Sequence, residues 1–199
     1  MAAYGMDKTD QMDLAILVGQ GDPVAQEHFV ALLRPRARRI AMAIMAHHQD
    51  AEDVTQNILI ELLRSAHSFK GGSLRAWSDK IGIRTAIREA RKRSVRSTRT
   101  TAEVDMEGLG LERLTKRREE VPRPIVEYLA ELPEVRRTVL VLRHVLEYSI
   151  DEIAELTECS PNTVKDRLQH ARMEIRRTIR RESLLDVSKR SDPTGGNGP

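Results

Sequence analysis

A short stretch near the C-terminal end carries the side chains best suited to reading duplex DNA. A helix start is predicted at Ser160-Pro161, because serine caps free N–H groups and proline fits a first helical turn. Polar side chains just after such a start can reach base edges or phosphates. They are Asn162, Thr163, Lys165, Asp166, Gln169 and His170, with Arg167 and Arg172 expected on phosphates or in helix-anchoring pairs.

The residues before this stretch predict a helix-turn-helix. Residues 149–152, Ser-Ile-Asp-Glu, form a capping box that starts a short helix. Residues 158–159 make the turn, and the small Ala154 lets two crossing helices approach. Val164 and Leu168 are expected to fill the angle between the helices. The alternative is a plain helical hairpin with a solvated polar face.

Basic residues are concentrated in residues 84–99, where seven Lys or Arg side chains accompany one acid, Glu89. Over about four helical turns they create a strong positive field, which favours nucleic-acid phosphates. The candidates include Arg84, Arg88, Arg91, Lys92 and Arg93. The alternative is a solvated charged face.

An acidic first turn opens another predicted helix, with Asp50 as its cap. The apolar residues expected on its inner face are Val54, Ile58, Leu59 and Leu62. Glu52 and Asp53 suit the positive end of a helix. Asp53 and Gln56 are three positions apart, so both can face a basic partner helix. Ordinary charge complementarity at the helix start is an equal alternative.

A loop is predicted between two helices, and its residues are Phe69, Lys70, Gly71, Gly72 and Ser73. Phe69 and the two glycines could hold a base out of its stack, since glycine permits close backbone approach. A simple interhelical turn is the alternative. Ser73 is expected to cap the next helix, and Trp77 is assigned to the core rather than to a stacking surface.

No pattern predicts catalysis, a metal site or a cofactor. His47 and His48 would point about 100° apart on a helix, and no H-E-x-x-H or C-x-x-C motif accompanies them. Neither a glycine-rich phosphate loop nor a G-x-S-x-G motif occurs. The single cysteine, Cys159, excludes an internal disulfide and suits a reducing cytosol.

Composition favours an all-α protein of two small helical domains. Aromatic residues make up only 3% of the 199 residues, which disfavours sandwiches and barrels. No apolar run approaches the roughly 20 residues of a membrane span, and the first ten residues lack a signal-peptide pattern. We therefore expect a cytoplasmic protein without membrane insertion.

Helical periodicity places the two domains at residues 12–98 and 124–182. The polar stretch 99–123 is predicted to be a flexible linker, and 183–199 a disordered tail. Within the first domain, Asp22-Pro23 predicts a helix start, and Pro35 predicts a kink or a break.

Taken together, these stretches resemble the extracytoplasmic-function sigma factors of bacterial RNA polymerase. Residues 50–56, DAEDVTQ, are similar to the family's DAEDxxQ signature, and residues 69–93 resemble its F-x-G-x-S…W…R-R segment. Residues 132–172 contain L-P-E, E-I-A and T-V-K-D-R-L in the family's order. The resemblance covers about residues 12–98 and 125–180.

The resemblance implies that the first domain binds core RNA polymerase and the opened minus-ten element, and that the second reads the minus-thirty-five duplex. Its polymerase-binding residues would be Asp50, Glu52, Asp53 and Gln56. Its minus-ten contacts would be Phe69, Lys70, Gly71, Gly72, Ser73, Arg84, Arg88, Arg91 and Lys92. Its minus-thirty-five contacts would be Asn162, Thr163, Lys165, Asp166, Arg167, Gln169, His170 and Arg172. Many members of the family are held by an anti-sigma factor, so the resemblance leaves open an anti-sigma factor as a third partner beside polymerase and DNA.

Departures from the family pattern leave the promoter sequence undetermined; they are Asn57, Ser78, Arg84, Glu158 and Asp166. Asp166 is expected to accept from a cytosine amine, or to pair with Arg167 or His170. A stand-alone helix-turn-helix regulator is the alternative function, and it leaves residues 50–56 and 69–73 unexplained. Binding to core RNA polymerase separates the two hypotheses.

Overall fold

The computed structural model describes residues 7–45, 48–96 and 122–190. Every regular element within these ranges is helical, which confirms the all-α prediction. The first two ranges form α1 (Lys8–Gly19), α2 (Pro23–Ile44), α3 (His48–Ser65) and α4 (Leu74–Arg96), with a short 3-10 turn at Ala66–Ser68. The third forms α5 (Ile125–Glu131), α6 (Glu134–His144), α7 (Ile150–Thr157) and α8 (Pro161–Arg190).

Helices α2, α3 and α4 pack around one apolar core. Phe29 of α2, Ile58 of α3 and Ile83 of α4 are almost completely buried in it. Gly82 permits this packing, because a Cβ there would lie 3.3 Å from side-chain atoms of Ile40 and Ile58. The core therefore determines which side chains of α3 and α4 face outward.

Four of the predicted helix starts are confirmed. Asp22 accepts a hydrogen bond from the Ala25 N–H at 2.7 Å, and Ser73 Oγ accepts from the Ala76 N–H at 3.2 Å. The predicted capping box is present at the start of α7. Ser160 Oγ accepts from the third residue of α8 at 3.1 Å. Local side-chain chemistry is enough to place these starts.

In the first domain the predicted cap at Asp50 is wrong, and of the kink or break predicted at Pro35 the break is not present. Helix α3 begins at His48, so Asp50 lies in its first turn instead of at its cap. Helix α2 runs unbroken through Pro35. Leu33 and Ala37 flank this proline and are both buried. Their packing against the core offsets the loss of one main-chain hydrogen bond.

Helices α5 to α8 form a second unit. Helices α5, α6 and α7 all pack on α8, and Tyr128, Leu142, Ile153 and Val164 are buried. Helix α8 continues to Arg190, so residues 183–190 of the predicted disordered tail are helical. The remainder of that tail, and all but the last two residues of the predicted linker, lie outside the described residues.

The turn between α7 and α8 contains strained backbone. Glu158 has a φ of 56° and a ψ of 44°, in the left-handed region. A side chain there costs roughly 1–2 kcal/mol, and glycine adopts it freely. The Cys159 N–H donates to the Ala154 carbonyl at 3.1 Å and closes the turn.

Glu158→Gly is expected to raise the free energy of unfolding by about 0.5 kcal/mol, because relief of strain exceeds the entropy that glycine adds to the unfolded chain. Urea denaturation measures the change. Glu61→Gly, in the middle of α3, is the matched control, and it should lower stability by about 1 kcal/mol. A loss of stability in Glu158→Gly would contradict the strain argument.

The two units are in contact with each other. Helix α7 packs against α4, and α6 packs against both α2 and α4. The sequence analysis predicted two domains and a linker, and no pattern in the sequence indicates this interface.

Candidate nucleic-acid and polymerase interfaces

The first turns of α8 have a polar face that is exposed to solvent and an opposite face that packs in the protein core. Val164, Leu168 and Ala171 are buried in the core of the second unit. Six of the predicted DNA contacts are exposed, namely Asn162, Lys165, Asp166, Gln169, His170 and Arg172. Lys165 and Gln169 are four positions apart on one face, so both can enter the same groove.

Thr163 and Arg167 are half-buried and brace the turn before α8. Thr163 Oγ1 shares a hydrogen bond with Ser160 Oγ at 2.9 Å. Arg167 Nη1 lies 3.5 Å from Cys159 Sγ. Of the two roles that the sequence left open for Arg167, this geometry supports helix anchoring.

Arg172 is tied to α6. Its Nη2 lies 3.0 Å from His144 Nε2, and the nitrogen of His144 must accept because a guanidinium can only donate. Burial, Arg172 and Arg143 lower the pKa of His144, which keeps the imidazole neutral. The bond directs one donor of Arg172 toward α6.

The outer face of α4 carries the predicted cations. Arg84, Arg88, Arg91 and Lys92 are all exposed. Glu89 accepts from Lys92 Nζ at 2.8 Å and lies 3.9 Å from Arg88 Nε. Arg91 is exposed and has no ion pair with another residue in the described ranges.

Arg93, which the sequence grouped with these cations, instead joins α4 to α3. Its guanidinium binds the Asp50 carboxylate and lies 3.3 Å from Asp53 Oδ2. The charge of Arg93 is therefore used within the protein.

The acidic turn of α3 is largely engaged in such internal contacts. Glu52 Oε1 accepts from Arg38 Nε at 2.8 Å. The Asp53 side chain is 64% exposed despite its contact with Arg93, and Gln56 is exposed as well. Asp53 and Gln56 are thus the members of the predicted set that are most open to a partner.

Phe69 is the clearest correction among the predicted site residues. It is only 4% exposed, and its ring meets Trp77 edge-on with the centroids 5.6 Å apart. Trp77 in turn packs against Phe29 at 6.3 Å, which confirms its assignment to the core. Phe69 supports the loop from below and offers no free face for a base. Lys70, Gly72 and Ser73 of the same loop are exposed.

Two family models match the chain, one in each unit. The model for sigma-70 region 2 matches residues 29–96, and that for sigma-70 region 4 matches residues 123–175. The RNA polymerase sigma factor SigV of Bacillus subtilis is 31% identical over 149 residues, which cover 73% of this chain and 86% of the relative. This chain belongs to the sigma-70 family, in its extracytoplasmic-function group.

Another relative of this sigma factor is the ECF RNA polymerase sigma-E factor of Haemophilus influenzae. It is 30% identical over 185 residues, which cover 86% of this chain and 95% of the relative. Both relatives are matched over most of their length, so the resemblance extends across both units.

Two solved structures share the fold of this sigma factor. CnrH in complex with the cytosolic domain of CnrY has a TM-score of 0.52 at 22% identity, covering 89% of this chain and 97% of that chain. RpoE in complex with the anti-sigma factor NepR from Bartonella quintana has a TM-score of 0.55 at 22% identity, covering 74% and 92%. At these identities the likeness concerns the fold alone.

Asp166 is an unusual anion on the exposed face of α8 in this sigma factor. His170 Nδ1 donates to the main-chain carbonyl of Asp166 at 2.8 Å, and Arg167 contacts Cys159. Neither side chain pairs with the Asp166 carboxylate, so that predicted role is not present. Two roles of the Asp166 carboxylate are left to test, namely recognition of a base and simple repulsion of DNA phosphates.

Asp166→Ser is expected to relax preference at one base pair of the bound duplex by about 1–3 kcal/mol, because serine loses the carboxylate that accepts from a cytosine amine. Affinities for single-base variants of the duplex measure this preference. Asp151→Ser, an exposed acid on α7, is the control and should leave the preference unchanged. Equal tightening on every duplex would reject base recognition and establish repulsion.

A polar cluster that the sequence analysis missed lies between the units of this sigma factor. Arg36 Nε and Nη2 donate to the two carboxylate oxygens of Asp79 at 2.6 and 2.7 Å, and the Tyr148 O–H donates to Asp79 Oδ2 at 2.8 Å. Burial tends to lower the pKa of Arg36, but the bonds to Asp79 raise it above its usual value. One feature of the sequence could have indicated this cluster. Asp79 is an acid four positions before Ile83, so it falls on the apolar face of α4, where a carboxylate needs a buried partner.

Metal-binding clusters and membrane-spanning helices are both absent from the described part of the chain. No group of three His, Cys, Asp or Glu side chains there is placed to hold a metal ion. None of the described helices is long and apolar enough to cross a membrane.

Proposed function

We propose that this sigma factor reads a promoter with both units while it is bound to core RNA polymerase. Helix α3 contacts the polymerase, α4 and the loop before it hold the opened minus-ten element, and the first turns of α8 read the minus-thirty-five duplex. The observation that carries the proposal is the presence of two separate polar faces, the recognition helix of one unit and the cations of the other. A stand-alone regulator would need only the recognition helix.

The proposed minus-ten surface has open space beside its cations. Gly71 and Gly72 have φ values of 88° and 89°, and apart from their chain neighbours no described residue has an atom within 4 Å of where their Cβ atoms would be. Glycine therefore leaves main chain accessible to an unstacked base. Lys70, Ser73, Arg84, Arg88, Arg91 and Lys92 complete this surface, with Phe69 supporting it from the core.

Asp53→Ala with Gln56→Ala is expected to weaken binding to core RNA polymerase about tenfold, since both side chains face outward on α3 and loss of a charge-assisted contact costs over 1 kcal/mol. The free energy of unfolding should change by no more than about 0.5 kcal/mol, as for other exposed sites. Titration of labelled protein with core polymerase measures the affinity.

Asp13→Ala with Gln20→Ala is the matched control, because it removes one exposed aspartate on α1 and one exposed glutamine at its C-cap. It should bind polymerase normally. Normal binding by the folded Asp53 and Gln56 variant would reject the assignment of α3 to the polymerase.

The function as a whole is tested by transcription from purified components. Core RNA polymerase with this chain should start a defined transcript on a promoter selected from random DNA, and core polymerase alone should not. A chain that binds the selected DNA but never associates with core polymerase would instead support the stand-alone regulator.

Partners and setting follow from the same proposal. The protein acts without catalysis or cofactor of its own, in the cytoplasm where the polymerase works. An anti-sigma factor is a further proposed partner, supported by the two structural relatives CnrH and RpoE, which were solved in complexes with CnrY and the anti-sigma factor NepR.

A further inference from the structure

The distal part of α8, residues 173–184, carries positive charge that the proposed reading of the minus-thirty-five duplex does not use. Most of it lies beyond residue 175, where the segment matched to sigma-70 region 4 ends. Four of its arginines are exposed, and none of them has an ion pair with another residue in the described ranges. They are Arg176, Arg177, Arg180 and Arg181.

The two acids of this distal part are engaged by other elements of the second unit. Arg136 of α6 donates to Glu174 at 2.7 Å. Arg123 Nη2 and the Tyr128 O–H donate to the Glu182 carboxylate at 2.9 and 2.6 Å. These contacts tie α8 to α5 and α6 along its length. They also pair both negative charges, so the exposed side keeps only cations.

Two of the arginines continue the face that is proposed to read DNA. Arg176 follows Lys165 by eleven positions, and Arg180 follows Gln169 by eleven. Eleven residues make three helical turns and about 20° more, so each arginine lies almost in line with its predecessor. Arg177 and Arg181 are one position further along and point about 100° away from that line.

The length of α8 places this pair at the border of the groove. At a rise of about 1.5 Å per residue, Arg176 lies about 16 Å from Lys165 along the helix axis. The major groove of B-DNA is only about 12 Å wide. When Lys165 and Gln169 are inside the groove, Arg176 and Arg180 therefore lie past its edge, where the sugar-phosphate backbone runs.

We propose that Arg176 and Arg180 form a clamp on the phosphate backbone of duplex DNA that borders the minus-thirty-five element. A guanidinium always carries its charge and can donate two parallel hydrogen bonds to one phosphate. The clamp adds affinity without adding base preference. This inference rests on the proposed function, because it requires the first turns of α8 to enter that duplex. An acidic protein surface is the other possible occupant, but the alignment with Lys165 and Gln169 favours DNA.

Arg176→Gln with Arg180→Gln tests the clamp in the complex of the full chain with core polymerase. Fluorescence anisotropy of a labelled duplex containing the selected promoter measures affinity over a range of salt concentrations. We expect the slope of log affinity against log salt to flatten by about 2, and binding to weaken about tenfold at 0.15 M salt. The loss should be the same on duplexes with single-base changes in the element, since phosphates carry no sequence. Glutamine is a good helix former, so circular dichroism should show α8 retained.

Arg177→Gln with Arg181→Gln is the matched control. It removes the same charge from the same turns of α8, from side chains that point away from the recognition face. Its salt slope should change by less than about 0.5. Equal losses in the two pairs would show a general positive field instead of a clamp, and would overturn the proposal.

The remaining outcomes are also decisive. If Arg176→Gln with Arg180→Gln lowers affinity for core polymerase but leaves the salt slope on DNA unchanged, the face binds an acidic protein surface and the clamp is rejected. If the unaltered complex binds the selected duplex and this variant binds it equally well, the clamp alone is overturned. If the unaltered chain and core polymerase together select no duplex, the proposed function fails and the clamp with it.

Discussion

Asp79→Ala is expected to lower the free energy of unfolding by about 3 kcal/mol, the largest effect of any single change considered for this chain. The substitution leaves the Arg36 guanidinium, which is 11% exposed, without its carboxylate. A buried charge that loses its partner keeps the cost of desolvation and loses the compensating attraction. The Tyr148 hydroxyl loses its acceptor in the same step.

Trp77 is the only tryptophan in the chain and lies in the core of the first unit, so its fluorescence in urea reports unfolding there. Asp13→Ala, an exposed acid on α1, should change stability by no more than about 0.5 kcal/mol. Arg36→Met combined with Asp79→Leu should recover much of the loss, because it removes both charges together. A change under 0.5 kcal/mol in Asp79→Ala would show that Arg36 finds other partners.

The second large effect is expected on DNA binding when Arg84, Arg88 and Arg91 are all replaced by glutamine. Each exposed cation that neutralises a phosphate contributes nearly one unit to the slope of log affinity against log salt. Loss of three contacts should flatten that slope by about 2 to 3 and weaken promoter binding by the polymerase complex roughly a hundredfold at 0.15 M salt. Filter binding over a range of salt concentrations measures both quantities.

A matched variant separates local charge from net charge. Lys8, Arg34 and Arg64 are exposed on α1, α2 and α3, so replacing all three with glutamine removes the same number of charges elsewhere. Its salt slope should remain that of the unaltered protein. If the two triple variants lose affinity equally, the face of α4 has no special role in holding DNA.

Features that depend on neighbouring residues were predictable from the sequence. The caps at Asp22, Ser73 and Ser149 involve side chains that bond main-chain groups three residues away, so the residue types alone indicate them. The exposed face of α8 follows from the helical period of Val164 and Leu168 in the same way.

Other assignments depended on residues far apart in the chain. Phe69 lies in a stretch whose composition predicts a loop. Its ring nevertheless packs beneath that loop, because Trp77 and the core supply a nearby apolar surface. Arg93 looks like one more cation of a basic stretch, but folding brings Asp50 within reach of its guanidinium. A local pattern cannot register such partners, since they become neighbours only when α3 and α4 pack together.

The sequence by itself determined the all-α class, four of the helix starts, the helix-turn-helix and the family, because each rests on short-range periodicity or on a run of adjacent residues. Only the tertiary structure decided which charges remain free for partners, and it showed the cluster of Arg36, Asp79 and Tyr148. These residues are separated by 43 and 69 positions from one another. The bond from Tyr148 to Asp79 exists only when the two units are packed, and burial from water makes the charged contacts of this cluster strong and specific.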